Sequence, residues 1–125
     1  MAVVVLPADG AAARAGRRHL DAVCRASQTT PGVVDVARVL VSELVTNAVV
    51  HARSSPRLSV GAGVSGALHV EVGDDDSHRP VVQVEDEDAL GGRGLRLLES
   101  LASRWGVRAD PPGKVVWFEL DGDAA

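Results

Sequence analysis

The sequence predicts an α+β fold: a two-layer sandwich, with a mixed and mostly antiparallel sheet carrying its helices on one face. Three observations point there. Two stretches, residues 57–72 and 105–120, each read as two strands broken by turn residues, as β-hairpins are, and the first alternates apolar and polar residues with period two. Residues 33–52 repeat apolar residues at helical spacing over a wide face. Two further helical patterns, 11–27 and 92–102, stand on either side of the first hairpin.

Composition bounds the problem before the elements are placed. A chain of 125 residues and 13.0 kDa is expected to form a single domain over 1–125, burying roughly two-thirds of the surface exposed by the unfolded chain. Phe118, Trp105 and Trp117 are the only aromatics, so Val, Leu and Ala must build the core. The net charge is −4, and the only basic cluster is Arg17–Arg18, which argues against a nucleic-acid surface. A single Cys24 offers neither a disulfide nor a metal cluster and reads as a buried thiol. The apolar start at residues 3–6 stops at Pro7 with no basic region before it, so neither a signal peptide nor a membrane span is expected, and the chain reads as cytoplasmic.

In order, residues 3–6 are β-branched and stopped by Pro7, a short strand suited to a sheet edge. Residues 11–27 form an Ala- and Arg-rich helix with a basic outer face, from which Arg14 and Arg17 could reach a phosphate. Residues 28–32 are a turn, with Thr29 or Thr30 as cap and Pro31 at a helix start. The central helix then runs to about Ala52, where RSSP at 53–56 breaks it. Within it Glu43, Asn47 and His51 recur every four residues as one polar line on an otherwise apolar helix. Such a line meets either water or a ligand, and a carboxylate one turn before a carboxamide oxygen suits a hard cation such as Mg²⁺.

The first hairpin follows, with His69 on its polar face and read as solvated. It ends in GDDDSHRP at 73–80, a dense acidic turn at a strand end. Residues 81–90 turn from apolar to acidic and fit a mobile loop better than a strand. GGRGL at 91–95 opens the next helix, whose apolar face carries Leu95, Leu97, Leu98, Leu101 and Ala102. Glycines before a helix let backbone approach a phosphate, which the helix N-terminus attracts. A Pro-Gly turn at 111–113 joins the last two strands.

Taken together, these motifs resemble a known family. SELVTNAVVHA at 42–52 resembles the N-box of the GHKL ATPase superfamily, in the version carried by stand-alone anti-sigma-factor serine/threonine kinases. GRGL at 92–95 is similar to the end of that family's ATP lid, and GKVVWF at 113–118 to its last strand, so the likeness runs from about Arg14 to Leu120. The resemblance implies the Bergerat ATP-binding fold, with ATP and Mg²⁺ as cofactors. It assigns Asn47 to Mg²⁺ and Glu43 to general base, with His51 on the same line. It implies that Asp74 or Asp76 accepts a hydrogen bond from the adenine amine, and that Gly92, Arg93, Gly94 and Leu95 meet the phosphates. Arg14 is the positional match to an arginine that approaches the terminal phosphate.

By the same resemblance the acceptor is a Ser or Thr of an anti-sigma-factor antagonist, and the protein also sequesters a sigma factor. It leaves a homodimer open. No dimerisation helix bearing an acceptor histidine is visible, so a sensor histidine kinase is not expected. Two rivals stand beside the kinase: an inactive ATP-binding module that only sequesters its partner, and an interaction domain that has lost nucleotide.

Overall fold

The computed structural model describes residues 1–52, 54–63, 66–75 and 92–122. Strand β1 (Val3–Val5) leads to helices α1 (Ala12–Ala26) and α2 (Pro31–Asn47), and a single π-helical turn (Ala48–Ala52) extends α2. Strands β2 (Arg57–Ala62) and β3 (Leu68–Asp74) precede helix α3 (Gly92–Leu101), and β4 (Arg104–Asp110) and β5 (Gly113–Leu120) complete the order.

The five-stranded sheet has the order β1-β2-β3-β5-β4, and each of its pairings is antiparallel. β1 lies at an edge, as its length and Pro7 predict. Both expected hairpins form, and β5 inserts between β3 and β4 so that the two hairpins share one sheet.

The inward set of each strand is apolar: Leu68, Val70 and Val72 on β3 face the same side as Val116, Phe118 and Leu120 on β5. These meet Leu20 and Cys24 of α1, Ala37, Leu40, Val41, Leu44 and Val45 of α2, and Leu95 and Leu98 of α3. The core is therefore aliphatic around one phenylalanine, as the composition requires. Each fully buried Leu or Val contributes roughly 1.5–3 kcal/mol relative to exposure. Cys24 is buried as expected, and burial pushes its thiol pKa up.

Two local expectations change. Thr30 holds the N-cap position of α2, but its hydroxyl makes no capping bond. The first turn is closed by backbone instead, Val34 N–H donating to Thr30 C=O at 3.1 Å. The predicted helix to Ala52 is α-helical only to Asn47. In the π turn beyond it, hydrogen bonds span five residues, so four residues no longer complete a turn. The polar line from Glu43 through Asn47 is thus broken before His51, which is exposed.

Candidate functional site

The inward alternation that fills the core ends in charge at one end of the sheet. On β3 the inward series Val70, Val72 finishes with Asp74, and on β5 the series Phe118, Val116 finishes with Lys114, its register partner. Lys114 Nζ donates to Asp74 Oδ2 at 2.8 Å. Only 4% of Asp74 and 3% of Lys114 is exposed, so this is a buried ion pair, and desolvating both groups offsets much of their attraction.

The backbone is built for this close approach. A Cβ added at Gly113 would collide with the Asp74 carbonyl group, so only glycine lets β5 start against the end of β3. Outside the pair, Arg57 Nη1 donates to Asp75 Oδ1 at 2.8 Å, and Arg57 Nη2 to the Asp74 carbonyl at 3.2 Å. Asp75 N–H donates to Ser54 Oγ at 3.2 Å. Successive residues of the acidic turn therefore point opposite ways, Asp74 buried and Asp75 exposed.

Asn47 completes the pocket. With Leu44 and Ala48 it lines a small pocket whose other walls are Val72, Asp74, Lys114 and Val116. Its carboxamide also lies on the backbone of α3, where a Cβ at Gly94 would stand 2.7 Å from Asn47 Nδ2. Gly94 thus lets the start of α3 close onto the end of α2, and Leu95 beside it is buried in the core.

The other predicted residues are distributed around this centre. Glu43 is half-buried and lines a neighbouring open groove with Arg17, Asp35, Arg38, Val39 and Ser42, so it and Asn47 face different depressions. Arg17 Nη1 donates to Ser42 Oγ at 2.9 Å, which makes Arg17 the α1 arginine that reaches the Glu43 edge; Arg14 is exposed. Gly92 opens α3. Asp76, the expected loop at 81–90 and the Arg93 side chain lie outside the described residues.

Sequence reading missed Lys114, although a signal was present: at spacing two along strand 113–120 it shares a face with Val116, Phe118 and Leu120. His69 is corrected as well. It is half-buried, with Nδ1 2.8 Å from Glu119 Oε2 and Nε2 2.8 Å from Glu71 Oε2, and its ring stacks on Trp117 at 5.8 Å. Glu119 is its register partner across β3 and β5, so strand pairing supplies what the local sequence does not show. These groups lie on the sheet face away from the helices, and Arg104 and Arg108 extend the network.

A larger cavity, about 720 Å³, is at the opposite end of the sheet. Val23, Ala26, Val33, Ala67, Leu68 and Leu120 supply its apolar walls, and no titratable group among the described residues lines it. The chemistry is concentrated at the Asp74 end.

A buried carboxylate, an ammonium and a carboxamide beside a glycine-started helix form a site that can read a polar heterocycle and hold an anionic chain against helix N–H groups. With an antiparallel sheet under three helices, this defines a nucleotide-binding sandwich of the GHKL type. The chain belongs to the histidine kinase-like ATPase domain family, which matches residues 6–120. The family is one of ATPase domains, so membership carries ATP binding as the property of the class. Among solved structures it is similar to the Erythrobacter litoralis EL346 blue-light activated histidine kinase, with a TM-score of 0.57 and 28% identity. That match covers 74% of this chain but 31% of the kinase, so the chain spans about a third of its length. None of the curated proteins compared matches the sequence. No helix among the described residues is long and apolar enough to cross a membrane.

Proposed function

We propose that the chain is a serine/threonine kinase of the anti-sigma-factor type. It binds Mg-ATP between α2, α3 and the Asp74 end of the sheet, transfers the γ-phosphate to a Ser or Thr of an anti-sigma-factor antagonist, and sequesters a sigma factor. The observation that carries this reading is the convergence of Asn47, Asp74 and Gly94 on one place, Asn47 lining the pocket of Asp74 while packing on the backbone of Gly94. Separate sequence motifs supply these residues. The choice of Ser/Thr kinase over other members of the class rests on the resemblance at 42–52, 92–95 and 113–118.

Asn47 fits Mg²⁺ through its carboxamide oxygen, while Glu43, one turn away on α2, lines the neighbouring groove and is left to act as a base. Mg²⁺ keeps several waters and takes phosphate oxygens, so one carboxamide oxygen from the protein can serve it. Bound there, Mg²⁺ would neutralise phosphate charge, the main requirement of phosphoryl transfer.

Within this reading Asn47 holds the metal, and Glu43 orients an incoming hydroxyl and takes its proton. Asp74 accepts from the adenine amine, and the backbone N–H groups of Gly92 and Gly94 receive the phosphates at the start of α3. Arg14, or Arg17 bonded to Ser42 next to Glu43, is the arginine of α1 that this reading assigns to the terminal phosphate.

One observation favours a second reading, an ATP-binding or nucleotide-free module that only sequesters its partner: Lys114 already engages Asp74 in a pocket with about 10 Å³ of free space. Incubation with γ-labelled ATP and the co-purifying partner decides between them. Label on a partner Ser or Thr supports the kinase. A partner retained without label supports the module.

A further inference from the structure

We propose that Lys114 is a specificity-determining residue of the nucleobase pocket, donating a hydrogen bond to a ring nitrogen that flanks the adenine amine while Asp74 accepts from the amine itself. This rests on the reading that ATP binds at the Asp74 end of the sheet.

The pair is out of character with its surroundings. Every other inward residue on β3 and β5 is apolar, and replacing a buried ion pair by apolar groups is often neutral or stabilising. Packing alone therefore gives no reason for a lysine at 114. Its location does, because the pair occurs only where the sheet ends beside Asn47. The walls, Leu44, Ala48, Val72 and Val116, are small or aliphatic and suit the faces of a flat ring.

The chemistry is complementary. Asp74 Oδ2 and Lys114 Nζ set an acceptor beside a donor, 2.8 Å apart. Adenine presents a donor, its 6-amino group, next to ring-nitrogen acceptors. Guanine carries a carbonyl at that carbon and a proton on N1, which reverses the pattern against this pair. Lysine has three N–H donors, so it can hold Asp74 and reach a ring nitrogen together.

With about 10 Å³ free, the pocket as it stands is too small for a purine, so its walls, Lys114 among them, move apart as the base enters. Before binding, Lys114 supplies the Asp74 carboxylate with a cation 2.8 Å away.

The test compares ATP with 1-deaza-ATP and 7-deaza-ATP, in which one ring nitrogen flanking the amine is replaced by C–H. Affinities are measured by isothermal titration for the wild type and Lys114→Met, with thermal melts to establish folding. The wild type should bind one of the two analogues roughly tenfold more weakly than ATP, the effect of one hydrogen bond to a charged group. Lys114→Met should bind ATP and that analogue equally, and Lys114→Arg should restore the difference. A merely structural lysine would weaken all three ligands alike. If Lys114→Met does not fold, the Asp74→Asn/Lys114→Met double variant leaves no buried charge unpaired and supplies the same ratio. A wild type indifferent to both analogues, or a difference that survives the loss of Lys114, overturns the proposal. A wild type that binds no ATP at all overturns the proposed function with it.

Discussion

Asn47 and Gly94 touch across the junction of α2 and α3: a side chain as small as a methyl at Gly94 would stand 2.7 Å from Asn47 Nδ2. This contact couples the residue assigned to the metal to the helix start assigned to the phosphates, so a change at either should be felt at both.

Gly94→Ala tests that coupling. The added carbon forces the Asn47 carboxamide aside, while the flanking core residues Leu95 and Leu98 remain. The variant should fold, and its Mg-ATP affinity should fall about tenfold or more, in line with one lost interaction to a charged group. Titration of Mg-ATP, read beside a thermal melt, checks it. Unchanged affinity would separate Gly94 from the site.

Nucleotide choice follows from Asp74. ATP and ADP should bind and GTP should not, because the guanine carbonyl would meet a carboxylate with no proton between them. Asp74→Asn should weaken ATP binding and narrow the gap to GTP, since a carboxamide can donate as well as accept. Competition between the two nucleotides measures the gap. Equal affinity of the wild type for both would remove Asp74 from the base pocket.

Stability should rest on the aliphatic core and on its one phenylalanine. Phe118 is fully buried, and Phe118→Ala should cost about 3–5 kcal/mol in a denaturant melt. A loss below about 1 kcal/mol would mean that the sheet and helices do not pack on this ring.

The far face of the sheet predicts an acid limb in stability. Arg108 donates to Glu71 at 2.9 Å and Arg104 to Glu119 at 2.9 Å, and with His69 these bonds hold both carboxyls below the usual glutamate range. A lowered carboxyl pKa in the folded state favours the ionised form. Its contribution is thus complete above the ordinary glutamate value of about 4.3 and is lost as pH falls through the folded value. Melting temperature should be flat from neutral pH to about 5 and drop below about 4.3. In Glu71→Gln/Glu119→Gln the drop should be shallower. Both arginines are largely exposed, so salt should blunt the effect. Identical acid limbs in the two proteins would contradict this account.

Much of the fold was legible because it depends on local periodicity. Period-two alternation marked the first hairpin and a Pro-Gly turn between two strands the second, Pro7 stopped the edge strand, and the apolar stripe of α2 announced a core helix. The insertion of β5 between β3 and β4 was not, because strand order is decided by contacts distant in sequence. The same holds for His69, whose partner Glu119 lies across the sheet. The π turn after Asn47 leaves no mark either, since AVVHA suits an α-helix equally well. At the site, Asp74 was readable from its place at a strand end, and Asn47 from its place inside an apolar helix. Lys114 carried a signal in the inward phase of β5, but its partner became visible only when the register placed it opposite Asp74.

In the proposed function α2 carries two residues with different tasks, and one paired measurement on their variants separates them. Mg-ATP affinity by titration and partner phosphorylation by mass spectrometry are determined for the wild type, Asn47→Ala and Glu43→Ala. Asn47→Ala should lose both affinity and transfer if, as proposed, Asn47 holds the metal that would neutralise the phosphates. Glu43→Ala should keep ATP affinity within a few-fold while transfer falls by ~10²-fold or more, as for a lost general base. Full transfer by Glu43→Ala, or unchanged Mg-ATP affinity in Asn47→Ala, would contradict it.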